Sequence, residues 1–561
     1  GRVEKVQDST FSTFNKVAAR RPRREITKVG NMVRIGHSAQ IVLMSVALSM
    51  LAACATLGSS SPANPQAEAQ QAGDRIHAAN AALQRGHADA ALKQLDALPS
   101  SLPPEVQQQA LDVRARAQLA LGHRVDAARA LARRAPLLPP AAQAAEHQRV
   151  VAILTGMGRD QLNALFPTLA GDDPLKPYVS QALARSGAAT PLALPQLNEP
   201  VGTLTGAAVP QGFAMPARVA LLLPATGPVA VASAAVRDGF FAAYFHTPAT
   251  QEQRPTIKVY DTGGTADGTL AAYRQAAAAG ASLVVGPLSR GAVGALFSQA
   301  SLPVPVLALN HAQGNQPVPA GSAEFALLPE AEGAQLGSHM ITAGLHAAIV
   351  FRGSDDTSSR TFAAFKLEFE SLGGQIANDV VLQPNDVDFA SPIQAALAGS
   401  GSQTGIVALL RPDQARLLLP QLKLARSTLP VFSTSMIYSG DENATADGDL
   451  DGVQFSDEPW LYDAQAGLPS HATLASQLST AAGPAARLFA FGMDAYALMP
   501  YLGWLRGHPG SYLAGATGQL TMDAFGHVQR TPIWVQFQGG VARPVAAGLE
   551  AQPADATPTQ P

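Results

Sequence analysis

Apolar and polar positions change their spacing along the chain and divide it into stretches of different kind. Residues 39–53 form an uncharged apolar run behind a basic flank, and small residues precede a cysteine at 54. A helix of that length reaches about 22 Å, short of a ~30 Å hydrocarbon core, so the run predicts a secretory signal segment rather than a membrane span. Residues 54–71 are small, polar and Pro-bearing, which predicts a flexible tether. From Ala72 the sequence is rich in Ala, Leu, Gln and Arg at helical spacing, with hardly any β-branched runs. Segments 81–95 and 117–131 look alike, and Gly86, Gly122 and Gly156 each follow an apolar helical pattern. Pro103-Pro104 and Pro139-Pro140 fall between these units, where proline starts helices. The period near 34 predicts a helix–Gly–helix repeat over 72–190 that resembles tetratricopeptide repeats. A plain helical bundle is the other reading of the same periodicity. His87 and His123 are expected on surface loops.

Residues 191–216 carry Pro191, Pro195, Pro200, Pro210 and Pro216, which excludes a helix or a central strand and marks a linker. Beyond it, over 217–550, short β-rich runs alternate with helical stretches, the signal of parallel α/β structure. Strands are predicted at 218–223, 257–261, 282–287, 305–310 and 324–328, with helices at 231–245, 266–279, 291–300 and 330–343 between and after them. A second set follows, with strands at 347–352, 375–383, 405–410 and 430–434 and helices at 358–371, 388–398 and 412–425. Two successive sheets with later returns predict two lobes around a cleft. Ligands of open α/β sheets bind beyond the strand C-termini. Thr226, Ser289, Asn310, Arg352, Asp355 and Ser433 are therefore the expected cleft-lining residues, although several could equally serve as helix N-caps. The expected class is thus α followed by α/β, with 551–561 a disordered tail.

Charge narrows the function. Residues 1–37 hold nine Lys/Arg against three acids, while the whole chain has a formal charge of −3, so the body is acidic. An acidic body lacks the phosphate-neutralising surface of a nucleic-acid binder. One cysteine excludes intrachain disulfides and thiolate zinc sites. No hydrolase signature is present: there is no G-x-S-x-G, and Gly286-Pro-Leu-Ser289 lacks the elbow glycine. Asp447-Gly-Asp449-Leu-Asp451-Gly452 with Glu458 has calcium-loop spacing, but Pro459 disfavours the exiting helix and Val453-Gln-Phe455 alternates as a strand. A solvated acidic loop entering a strand is expected there, with no metal. Neither a catalytic residue nor a cofactor is assigned.

Two resemblances add to this reading. Leu51-Ala-Ala-Cys54 resembles the lipobox of bacterial lipoproteins. That implies diacylation and N-acylation of Cys54, with Met32 a suitable start of the signal peptide (32–53) and 1–31 an upstream extension. Ala55 after the cysteine implies sorting to the outer membrane, facing the periplasm. Residues 219–227 and 234–240, with Val285-Gly-Pro-Leu288, look like the opening of type I periplasmic binding proteins. Residues 429–435 with Tyr438, 451–460, 487–496 and 515–520 are similar to one branch, the LppC/LpoA lipoproteins. The resemblance implies a non-enzymatic outer-membrane lipoprotein that stimulates a class A penicillin-binding protein. The alternative is a tethered receptor for an amino acid or a cell-wall fragment.

Overall fold

The computed structural model describes residues 65–99, 101–170, 173–185, 200–203, 213–247, 254–313, 316–441, 443–508 and 510–545. Cys54, the signal segment, most of the tether and the tail 551–561 lie outside the described residues, as does most of the linker. No described helix is long and apolar enough to cross a membrane.

The N-terminal region is built of antiparallel helix pairs: Pro65–Gln84 with Ala88–Asp96, Pro104–Ala120 with Arg124–Arg134, and Pro140–Thr155 with Arg159–Leu165, closed by Lys176–Arg185. Pro103 and Pro139 sit in extended conformation just before their helices, and Pro104 and Pro140 occupy first-turn positions that need no N–H partner. The core is largely alanine in the first pair, with Ile76 and Leu95, and gains bulk further on, with Leu131, Leu154, Phe166 and Tyr178. Small side chains let these helices lie close. The third turn departs from expectation: Gly156 is right-handed, and Gly158 takes the positive φ of +89°. Left-handed glycines thus stand at 86, 122 and 158, each 36 residues after the last. His87 and His123 follow two of these glycines and are exposed.

The α/β region folds as two sheets. Strands β1 (Pro200–Thr203), β2 (Arg218–Leu223), β3 (Thr256–Asp261), β4 (Leu283–Val285), β5 (Val306–Ala308) and β6 (Ala323–Phe325) belong to the first sheet. Strands β7 (Ala347–Gly353), β8 (Gln375–Leu382), β9 (Thr404–Leu409), β10 (Val431–Ser433) and β11 (Gln454–Asp457) form the body of the second. The chain then returns to the first lobe with β12 (Tyr512–Ala514), β13 (Gln519–Met522) and β14 (His527–Thr531), and ends in the second with β15 (Ile533–Gln538) and β16 (Val541–Pro544). The orders are β1-β12-β13-β14-β6-β5-β4-β2-β3 and β16-β15-β11-β10-β9-β7-β8. Both sheets are mixed, with parallel bodies and antiparallel returns. β1 pairs at a sheet edge, the one kind of strand position that its proline tolerates.

Strand β2 shows why the apolar runs were legible. Val219, Leu221 and Leu223 enter one core beside Phe240, while Ala220 and Leu222 enter the core on the opposite face beside Tyr273. Both faces are covered by helices, so the strand reads as continuously apolar. In each lobe a glycine lets two helices touch through their backbones. A Cβ on Gly239 would stand 1.8 Å from the Phe489 carbonyl oxygen, and one on Gly333 would stand 2.2 Å from that of Thr361. Helix Ala486–Ala497 is thereby seated on Ala230–His246 in the first lobe, and helix Pro329–Thr342 on Asp356–Ser371 in the second.

Candidate functional site

The chain passes between lobes at three points: after β6, after β11 and between β14 and β15. The loops beyond the parallel strands carry the residues expected to line a cleft, and most of them are occupied locally. Ser289 Oγ caps helix Arg290–Phe297 by accepting from the Ala292 N–H at 3.4 Å. Asp355 caps helix Asp356–Ser371, accepting from the Ser358 N–H at 3.2 Å and its hydroxyl at 2.7 Å. Although burial opposes it, Ser358 and Arg411 hold the Asp355 carboxyl below the usual carboxylate range. Asn310 pins its own loop, donating to the Leu288 carbonyl at 2.9 Å and accepting from the His311 N–H. Arg352 forks onto Asp379 of the neighbouring strand at 2.8 and 3.0 Å and covers the Phe362 ring. Ser433 is fully buried and donates to the Ala408 carbonyl at 2.6 Å, so it presents nothing to a cleft. Thr226 is exposed.

The acidic loop is also drawn into the fold. Asp447 is buried against Arg416, which reaches it at 2.7 Å, so the expected solvated loop is a buried ion pair at this position. Asp451 accepts from the Gly540 N–H at 2.7 Å. Glu458, the last carboxylate of that spacing, lies at the lobe crossing after β11.

At the crossings themselves stands a cluster of buried charges, of which the calcium-loop spacing had singled out Glu458 alone. Arg487 forks onto Asp457 at 2.8 and 2.7 Å and donates to the Tyr438 carbonyl, while the Tyr462 hydroxyl donates to Asp457 at 2.7 Å. Burial alone would lower the Arg487 pKa, but Asp457 holds it above the usual guanidinium range. Arg530, at the end of β14, meets Glu332 of the second-lobe helix and stands 3.7 Å from Glu458. Glu332 also accepts from the Ser435 N–H and hydroxyl at 3.0 and 2.7 Å. Glu458 is 1% exposed and neither of its oxygens finds a hydrogen bond among the described residues; burial raises its pKa well above the carboxylate range. Nearby, Asp494 accepts from the N–H groups of Ala516 and Thr517 and from the Thr517 hydroxyl, at 2.6 to 2.7 Å, while burial pushes it up to about 6. Trp460 stacks on Phe489 with ring centroids 5.2 Å apart.

Asp457, Glu458, Trp460, Arg487, Phe489, Asp494, Ala516 and Thr517 come from segments 451–460, 487–496 and 515–520, which carried the family resemblance, whereas Glu332, Tyr462 and Arg530 lie outside them. The sequence signal within those segments was a charged residue inside an otherwise apolar run, as in Arg487 and Asp494. Glu332 and Arg530 had no such signal. Among the described residues no cluster of three or more His, Cys, Asp and Glu is arranged to hold a metal ion.

A family model described as "LppC putative lipoprotein" matches residues 212–540. Among known proteins, the penicillin-binding protein activator LpoA of Edwardsiella piscicida is 29% identical over 325 residues, covering 52% of this chain and 46% of that one. The protein of the same name from Haemophilus influenzae is 27% identical over 334 residues, covering 59% and 55%. The chain thus spans about half the length of these relatives. Full-length LpoA of H. influenzae has a similar fold, with a TM-score of 0.51 at 22% identity over 90% of this chain and 92% of that one. The H. influenzae LpoA C-domain, described as a regulator of PBP1A, matches with a TM-score of 0.50 at 26% identity over 58% of this chain and 99% of its own.

Proposed function

The chain belongs to the LppC lipoprotein family, and from that premise we propose that it is a non-enzymatic regulator of peptidoglycan synthesis that binds and stimulates a class A penicillin-binding protein. The observation that carries the reading is the match to the C-domain of a regulator of PBP1A over 99% of that domain. In this reading the α/β region is the working module. The helical region, a tetratricopeptide-like array of 36-residue units, supplies reach. Acylated Cys54 anchors the protein in the outer membrane on its periplasmic side, and burial of each acyl CH₂ contributes roughly 0.8 kcal/mol. Anchoring and reach act by raising the effective concentration of the synthase.

Domain limits follow the same reading: 32–53 is the signal peptide, 54–71 the tether, already helical from Pro65, 72–190 the array, 191–216 the linker, which lends β1 to the first sheet, and 217–550 the module. The receptor alternative loses support because Ser289, Asp355 and Asn310 are spent on caps and loop bonds. The test is a cross-linking assay with a purified, detergent-solubilised class A synthase and the chain without its acyl group. More peptide cross-links than the synthase makes alone are expected. No change in cross-linking, together with no co-purification of the synthase, would sink the reading.

A further inference from the structure

A cavity of about 830 Å³ lies between the helical region and the first lobe, away from the lobe crossings. Helices Pro140–Thr155 and Lys176–Arg185 form one wall; residues 316–321, helix Leu502–Gly507 and the turn before β14 form the other. Its volume falls within the roughly 300–1,000 Å³ of small-molecule sites.

Five glutamines line it: Gln143, Gln148, Gln181, Gln299 and Gln316. The side-chain amides of Gln143, Gln299 and Gln316 donate to the protein at 2.9, 3.0 and 2.7 Å, and the Gln148 carbonyl accepts from Arg185, so the carbonyl acceptors left for a guest include those of Gln143 and Gln299. The Gln316 carbonyl oxygen is buried and finds no hydrogen-bond partner among the described residues. Phe525 supplies an aromatic face, held edge-on by His147 and Tyr178 at centroid distances of 5.8 and 5.1 Å. The charges on this side cancel. His527 sits 2.8 Å from Asp523 and 3.6 Å from Glu324, and Arg506 is turned onto the Ser322 carbonyl.

A balanced floor does not select an anion or a cation, and amides set among Phe297, Val318, Leu502 and Phe525 suit neither a hydrocarbon nor a purely polar guest. What fits is an uncharged guest rich in O–H and N–H donors, with one apolar face to lay on an aromatic ring. We propose that this cavity binds a short N-acetylated oligosaccharide segment of a cell-wall glycan. The acetamide N–H and sugar hydroxyls would donate to the glutamine carbonyls, and the sugar's C–H face would cover Phe525. The choice of a wall glycan among neutral sugars rests on the function proposed above. Because two regions wall the site, an occupant also ties them together.

The test uses the full chain and β-1,4-linked N-acetylglucosamine trimer, titrated calorimetrically, with a glucose trimer and a free stem peptide as comparison probes. Gly503 lines the cavity, and a Cβ placed on it meets nothing within 4 Å, so Gly503→Trp should fill the space without displacing backbone. Saturable binding of the N-acetylated trimer, weakened at least tenfold in Gly503→Trp at an unchanged melting temperature, is the expected result. Gln143→Ala should weaken it in the same direction. No saturation by the trimer, equal affinity in Gly503→Trp, or tighter binding of the stem peptide would overturn the proposal. Synthase cross-linking measured on the same samples keeps the two ideas apart: glycan binding without stimulation removes the proposed function alone, and stimulation without glycan binding removes this site alone.

Discussion

The molecule has two joints, and they are built from opposite materials. Between the lobes, Arg530, Glu332, Glu458, Arg487 and Asp457 are packed with side chains at most 15% exposed, so charges are matched in a nearly dry setting. Between the helical region and the first lobe, an aromatic triad of His147, Tyr178 and Phe525 adjoins a roomy cavity lined by glutamines and apolar side chains. Desolvated charge is costly to leave unpaired, so the lobe joint holds one arrangement strongly. A joint with space and amide groups is suited to accept a guest. The difference teaches that the two-lobed α/β region has its lobe crossings pinned, while the open space lies at the other joint.

The sharpest way to break this comparison is at the lobe joint. Arg530→Met leaves Glu332 and Glu458 facing each other without their cation and is expected to cost about 3–5 kcal/mol of stability, read from urea denaturation of the full chain. A loss below about 1 kcal/mol would mean that this cluster does not hold the lobes.

Next in size is a pH effect at the other joint. Although burial works to lower it, Asp523 and Glu324 raise His527 to about 9. Its contribution is therefore complete below the unfolded value of about 6.5 and is lost as the pH rises from there through 9, by up to about 3 kcal/mol. His147 and His311 move the opposite way, lowered by burial to about 4 and about 3. Their contribution is complete above about pH 6.5 and is lost as the pH falls toward those values. Melting temperature should peak near pH 6.5, and His527→Gln should flatten the alkaline limb. An unaltered alkaline limb in that variant would contradict the assignment.

The smallest effects belong to the loops at the strand ends, which form neither joint. Asp355→Ala removes a helix cap and should cost about 1 kcal/mol, and Ser289→Ala at most about that. Thermal melts of both variants, run beside the cross-linking assay, should show the small loss with stimulation intact. Abolished stimulation in a variant that still folds would return function to the cleft.

Legibility followed periodicity. Strands such as β7 and β9 and the helix Pro412–Leu424 lie within a residue or so of their expected bounds, because each has a β-rich run or a helical stripe closed by Gly or Pro. The returning strands β12 to β16 were unspecified, since they are short hairpin pieces whose places in the two sheets are set by β1, β6 and β11, far away in sequence. The cap at Ser289 was foreseeable as an alternative because Ser before a helix satisfies its free N–H groups, whereas Asp355 was read as a cleft or loop charge and proves to be a cap. The 36-residue spacing was half visible: Gly158 and Gly156 are both glycines, and only the backbone shows which one turns left-handed.

By itself the sequence determined the order of regions, the two-lobed α/β character, the acidic body and the family resemblance. Each of these depends on local pattern, on composition or on residues close together in the chain. Only the tertiary structure decided that Glu332 meets Arg530 across 198 positions, that Asp457 is claimed by Arg487, and that His147 of the helical region packs on Phe525 of the first lobe. Charges at such separations leave no mark in periodicity. Their pairing is forced by the cost of burying either partner alone, and that cost exists only once the chain has closed around them.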